Sequence, residues 1–315
     1  MRLASLRTAG AAIALLLVTT ACGGGDDSGD GGPVKVSLGY FPLVHTATAV
    51  YAVENDLFDS DVVDVELAAT AGGAQAIPSL VAGEYDITYA NYTSAILAAQ
   101  KGLPLAFVAG NDLGATDHGI FVREDSDIES VADMKGKSFA VNNLQNIGTV
   151  AIGVRLEEEG LSLDDVDLVE IPYPDMGAAL DRGDVDAIWQ VEPFQAGALA
   201  AGQRKVDDLF AGAAAELPVA GWVATKQFVQ ENPEAVAAIQ DGLAAAAKAL
   251  ADDRAALDAI VPTYTEVPEK VAAAVEPPMF QPELDEARLQ EVSDLMAEYG
   301  IIDEPFDVAT MMPGA

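Results

Sequence analysis

Short apolar runs bounded by turn residues recur between residues 35 and 225, and each leads into a stretch with helical spacing. Lys35–Phe41, Val63–Ala68 and Tyr85–Ala90 are predicted strands. Helices between them end near Glu54–Phe58 and at Gly83, and a third covers Tyr92–Lys101. The order then repeats. Lys137–Asn142, Val166–Ile171 and Val185–Gln190 are predicted strands, with helices ending near Glu157–Leu161 and at Gly183 and a last one over Glu192–Ala201. The repeat is visible in letters as well as in period. LVAGEYDI (80–87) and LDRGDVDA (180–187) share Leu, Gly, an acid and Asp at the same four places, 100 residues apart. Each half is therefore β-α-β-α-β-α, which implies a mostly parallel sheet flanked by helices. Gly221–Thr225 is a predicted strand returning to the first half. Alanine-rich helices over 226–261 and 266–300 complete it. The expected fold class is α/β with two lobes and a ligand cleft between them. Residues 34–115 plus 220–315 form the first lobe and 116–219 the second, with two crossings acting as a hinge.

The first 33 residues follow another pattern. Arg2 and Arg7 precede an apolar stretch from Ala11 to Val18, then Thr19-Thr20-Ala21 and the single cysteine, Cys22. This is a secretory signal over residues 1–22, too short to span a membrane. Its end resembles a bacterial lipobox, with Thr19 where leucine is usual, which implies lipid on Cys22. Residues 23–33, GGGDDSGDGGP, are a flexible polar tether. The protein is expected outside the cytoplasm, touching the membrane only through its acyl chains, each buried carbon contributing about 0.8 kcal/mol.

Composition narrows the chemistry. With Cys22 lipidated, no thiol remains for a disulfide, a metal or a nucleophile, and the only histidines are His45 and His118. Neither a metal nor a cofactor nor a catalytic residue is expected. The net charge of −35, two units more negative once Arg2 and Arg7 leave with the signal, excludes nucleic acid as a partner. A monomer is expected.

In open parallel sheets, ligands sit beyond the carboxyl ends of the strands, where helix N-termini gather. The loops predicted there supply the candidates. Gly72 and Gly73 allow close backbone approach. Asn91, Thr93, Asn142, Asn143 and Asn146 offer donors, and His45 and Thr46 open a helix. Glu192 sits at a helix N-terminus, where a carboxylate is stabilised by about 0.3–1 kcal/mol. Tyr40, Phe41, Tyr92, Trp189, Phe194 and Trp222 fall at strand ends or helix starts facing the cleft. His118, at a crossing, is expected to be structural.

GYFPLVHTATAVYAVENDLF, GGAQAIPSLVAGEYDI and DVDAIWQVEPF resemble the SsuA/THI5-like (NMT1) group of periplasmic binding proteins over nearly the whole mature chain. The resemblance implies a two-lobed binding protein that closes on a small solute and delivers it to an ABC permease and its ATPase. It also implies ligand contacts at His45, Gly72, Gly73, Asn91, Tyr92, Thr93, Asn142 and Glu192. A sulfonate, taurine or nitrate-like solute is expected, held by helix N-termini and amides. A thiamine pyrimidine precursor, read by a carboxylate such as Glu192, is the alternative. An enzyme making such a precursor is the alternative of another class, and two histidines without a free thiol argue against it.

Overall fold

The computed structural model describes residues 32–314; the signal, Cys22 and the tether up to residue 31 lie outside the described residues, as does Ala315. In chain order the strands are β1 (Val34–Tyr40), β2 (Val63–Ala69), β3 (Ile87–Asn91), β4 (Leu105–Leu113), β5 (His118–Val122), β6 (Ser138–Val141), β7 (Asp167–Glu170), β8 (Ala187–Val191), β9 (Arg204–Asp208), β10 (Pro218–Thr225) and β11 (Met279–Phe280). The helices of the two repeats are α1 (Ala47–Glu54), α2 (Gly73–Val81) and α3 (Tyr92–Gln100), then α4 (Ile147–Glu158), α5 (Tyr173–Arg182) and α6 (Phe194–Ala200). The strands form two sheets, ordered β11-β4-β10-β3-β1-β2 and β7-β6-β8-β5-β9.

The two sheets share one topology. In the first, β1 lies parallel between β2 and β3; in the second, β6 lies parallel between β7 and β8. Next comes an antiparallel strand that has arrived from the other half of the chain: β10 on β3, and β5 on β8. The strand before each crossing, β4 or β9, then pairs with that incoming strand. Each sheet is therefore parallel on one side and antiparallel on the other. The sequence reading did not find β4, β5 and β9. The first two are uniformly buried strands without polar alternation, and β9 (RKVDD) is largely charged.

The shared letters have a physical meaning. Leu80 and Leu180 are buried under the sheets, and Gly83 (φ 79°) and Gly183 (φ 74°) end their helices in the left-handed conformation that glycine adopts without penalty. Asp86 Oδ2 then accepts the Ser37 backbone N–H at 2.8 Å, and Asp186 Oδ2 accepts that of Ser138 at 2.9 Å. Each aspartate thus pins the strand after its turn to the first strand of its lobe. The register that follows is equivalent in both: Leu38 against Ile87, and Phe139 against Ala187. A one-residue slip would turn every core side chain outward, so this latch fixes which residues reach the strand tips.

The C-terminal part is more broken than its apolar period suggests. The predicted helix over 226–261 is three: α7 (Lys226–Glu231), α8 (Pro233–Asp252) and α9 (Arg254–Tyr264). Pro233 lacks the N–H needed to continue α7, and Asp253 caps α9 by accepting from Ala255 and Ala256 N–H. Pro277 and Pro278 likewise part α10 (Glu269–Ala272) from β11 and α11 (Glu286–Glu298). The long α8 buries Val236, Ile239, Leu243, Ala246 and Leu250, spaced three and four apart, against α1 and β4. No helix among the described residues is long and apolar enough to cross a membrane.

The crossings, residues 114–117 and 209–217, lie side by side, Gly114 N–H donating to Leu217 O at 2.8 Å and Glu216 N–H to Gly114 O at 3.0 Å. Asp86→Ala and Asp186→Ala are each expected to lower unfolding free energy by about 1.5 kcal/mol, the lower end for a hydrogen bond to a charged acceptor, as suits a half-exposed site. Urea denaturation checks this. Hydrogen bonds from Ser138 hold the Asp186 carboxyl below its usual value. Its contribution is therefore present at neutral pH and lost as pH falls through the carboxylate range.

Candidate functional site

Where β1 ends, the chain turns through Phe41 and Leu43 into a short 3-10 turn, Val44–Thr46, before α1. This places His45 inward, 1% exposed, beneath the gap between the sheets. Its Nε2 lies 2.6 Å from Asp117 Oδ2, and the neighbouring His118 Nε2 lies 3.7 Å from the same oxygen. Burial opposes the His45 imidazolium, but Asp112, Asp117 and Glu192 outweigh it and raise its pKa. Burial also opposes the Asp117 carboxylate, yet the two histidines hold it low. His118, with burial uppermost, is pushed down to about 3 and is neutral. Burial pushes Asp112 up to about 6.

Behind these groups Asn111 ties the floor together. Its amide donates to His45 O (3.0 Å) and Asp112 Oδ1 (2.8 Å) and accepts from Thr48 Oγ1 (2.8 Å) and Trp222 Nε1 (3.1 Å). Tyr89 OH donates to Asp112 Oδ1 at 3.0 Å.

Above the floor are two chambers. The inner one, about 20 Å³, is roughly the room of one water; Phe41, Leu43, His45, Gly72, Tyr89 and Asn91 line it from the first lobe, and His118, Asn142, Tyr173, Trp189 and Val191 from the second. The outer one, about 340 Å³, shares Phe41, Gly72, Asn91, Asn142 and Tyr173 and adds Gln75, Asn143, Asn146 and Glu170. Gly72, at φ 119°, occupies backbone space that side-chain-bearing residues avoid, and it brings the start of α2 to the wall. Asn146 caps α4 by accepting Gly148 N–H, donates to Asn142 Oδ1 at 2.7 Å and reaches Asn91 Oδ1 across the cleft at 3.4 Å.

The structure thus gathers His45, Gly72, Asn91, Asn142, Asn143 and Asn146 at the cleft, with Gly73 as the first residue of α2. It places the other candidates elsewhere. Thr46 Oγ1 donates to Phe41 O (2.7 Å) and Leu43 O (3.0 Å), closing the turn. Thr93 is buried in α3, and Tyr92 lines a separate cavity with Asp112, Leu113 and Pro218. Trp222 is 0% exposed, its Nε1–H spent on Asn111. Glu192 does not line the cleft either: Oε1 accepts Glu276 N–H (2.9 Å) and Gln195 Nε2–H (3.2 Å), and Oε2 accepts Ala196 N–H (3.1 Å). It straps α6 to the segment after α10. The sequence reading missed Asn111, Asp112, Asp117, Tyr89 and Tyr173. The polar run Asn111-Asp112 inside an apolar strand was the available signal.

Burial pushes Glu192 up to about 7 from an ordinary 4.5. A raised folded value means this group's stabilising contribution is full below its unfolded pKa and declines as pH rises toward 7. Glu192→Gln should abolish that part of the slope in melting temperature against pH. It should also cost about 1–3 kcal/mol, because an amide N–H would face a backbone N–H. Solute affinity of the folded variant should stay within about threefold of the wild type, less than one ordinary hydrogen bond; calorimetry reads both.

Three similarities bear on this geometry. The formylaminopyrimidine-binding protein of Halalkalibacterium halodurans is 26% identical over 156 residues, 49% of this chain and 46% of that protein, so the chain matches about half the length of this curated relative. The alkanesulfonate-binding protein SsuA of Xanthomonas axonopodis pv. citri, bound to MOPS, superposes with a TM-score of 0.77 at 21% identity over 89% of this chain and 98% of that one. The zinc-bound ligand-binding component of an ABC-type import system from Staphylococcus aureus gives 0.78 at 13% identity over 89% and 96%. At these identities the structural likeness establishes a two-lobed periplasmic-binding-protein fold. Residues 29–263 match the NMT1-like family, covering both repeats, the crossings and the cleft; the chain belongs to the NMT1-like family.

Proposed function

We propose that this chain is the extracytoplasmic solute-binding component of an ABC importer, anchored through lipid on Cys22, and that its cleft takes a flat nitrogen heterocycle of the aminopyrimidine class. One observation carries the choice of solute. Among the described residues, no lysine or arginine lines either chamber, while aromatic side chains (Phe41, Tyr173, Trp189), neutral amides (Asn91, Asn142) and a carboxylate (Glu170) do. Aromatic walls suit a planar ring. Acceptor amides and acids suit ring amino hydrogens. The formylaminopyrimidine-binding relative points the same way.

Magnitudes weigh against the sulfonate, taurine or nitrate solute expected from sequence. Glu170 is exposed, and an anion about 4 Å from such a carboxylate is repelled by about 1 kcal/mol in water. One helix N-terminus contributes about 0.3–1 kcal/mol in compensation. Asn146 already occupies the Gly148 N–H at the start of α4. The sulfonate-binding neighbours support the fold and not this chain's solute.

The bridge from Asn146 to Asn91 and the paired crossings support a cleft that narrows when its lobes approach. The narrowed form is the one a permease and its ATPase would recognise.

Titration calorimetry with aminopyrimidines, alkanesulfonates, taurine and nitrate tests the reading. An aminopyrimidine should bind at micromolar Kd or tighter, about −8 kcal/mol, and quench Trp189, one of only two tryptophans. Tyr173→Ala should weaken it by about 5- to 150-fold, the loss of one stacking face, whereas Lys226→Ala, outside the cleft, should change nothing. Micromolar binding of a sulfonate with none of a pyrimidine would overturn the choice of solute.

A further inference from the structure

We propose that His45, Asp117 and His118 form a binding site for a divalent transition-metal ion of the zinc type at the floor of the cleft. One donor atom from each of these residues can be chosen so that all three lie within 4.8 Å of one another, although His45 and Asp117 are 72 positions apart in the chain. Two imidazoles and a carboxylate are the donor set that zinc takes in open sites, at about 2.0–2.1 Å. Tetrahedral coordination at that length sets donors about 3.3 Å apart. The present separations of 2.6 and 3.7 Å around Asp117 Oδ2 bracket that spacing, so an ion would part His45 Nε2 from this oxygen by about 0.7 Å and draw His118 Nε2 toward it by about 0.4 Å.

Unpartnered atoms point to an occupant independently. His118 is 1% exposed, yet neither ring nitrogen has a hydrogen-bond partner, and Asp117 Oδ1 and His45 Nδ1 also lack one. Leaving buried polar groups without partners is costly. An ion held between His45 Nε2, Asp117 Oδ2 and His118 Nε2 would give His118 the partner it lacks. The field has the right sign, since Asp112, Asp117 and Glu192 all favour positive charge at His45.

His45 and His118 both line the inner chamber, and its 20 Å³ suits a single ion or water. The fourth position therefore opens toward the solute chamber. His45 belongs to the first lobe, whereas Asp117 ends the crossing into the second and His118 begins β5 there. The ion would thus join a wall of the cleft to its hinge. Two histidines scattered in sequence argue against a metal; their convergence through the β1 turn and the β4–β5 crossing is what points the other way.

The test is competition for zinc between a chromogenic chelator and the full chain, first stripped with EDTA, without solute. One zinc per chain at micromolar Kd or tighter is expected, and His118→Ala and Asp117→Asn should each weaken it at least about tenfold. No uptake at micromolar zinc, or affinity untouched by both substitutions, overturns the proposal. Should either variant fail to fold, X-ray absorption of the loaded wild type decides. Two imidazoles at about 2.0–2.1 Å are expected, and an oxygen-only shell, as surface acids would give, overturns it. Aminopyrimidine affinity measured in EDTA is a separate readout, so failure of the ion site and failure of the solute assignment are told apart.

Discussion

A buried amide whose hydrogen-bonding positions are all filled holds the floor of the cleft together. Asn111 has two N–H donors and two acceptor lone pairs, and His45 O, Asp112, Thr48 and Trp222 take all four. These partners come from the β1 turn, β4 itself, α1 and the returning strand β10. Satisfying one side chain therefore fixes four segments relative to one another. Because an unpaired polar group is costly inside a protein, any shift of the β1 turn breaks several bonds together. His45 keeps its place over Asp117 for that reason, and the chemistry of the cleft floor follows from it.

Above the floor, the duplicated latch makes the cleft two-sided. Asp86 and Asp186 set equivalent registers in the two sheets, so equivalent strand tips face each other. Asn91 at the tip of β3 and Asn142 just beyond β6 thereby meet across the gap, with Asn146 between them. Exchanging one strand between the halves sends the chain across twice, and the paired crossings form a thin strap rather than a broad interface. Part of the lobe contact lies elsewhere. Ala196 of α6 is buried with Val44, Leu250, Leu257 and Val275 of the first lobe, and Glu192 reinforces that contact from within.

Much of this was legible in the sequence. The parallel β-α units, the repeat at an offset of 100 residues and the asparagine-rich loops follow from local period and turn chemistry, and the structure contains them. The antiparallel pairs β4–β10 and β5–β9 were not legible, because a fully buried strand has no alternation and a charged edge strand resembles a loop. Nor were the roles of Glu192, Trp222 and Tyr92. A helix-capping carboxylate and a ligand-reading one have the same letters, and only the position of Glu276 N–H separates them. The acid–histidine floor depends on contacts between residues far apart in sequence, which no local period reports. His118 is expected from the sequence to be structural, and nothing local singles out Asp117.

Fold, latch and floor together describe a two-lobed cleft lined by aromatic side chains and neutral amides over a buried histidine–acid group, the lining on which the proposed solute rests. The most direct measurement is a crystal structure of the chain grown with an aminopyrimidine. The ring should lie between the lobes against Phe41 and Tyr173, with its polar edge toward Asn91, Asn142 and His45. A ring found instead outside the cleft, for example in the surface groove lined by Lys226, Gln240 and Met312, would contradict the account.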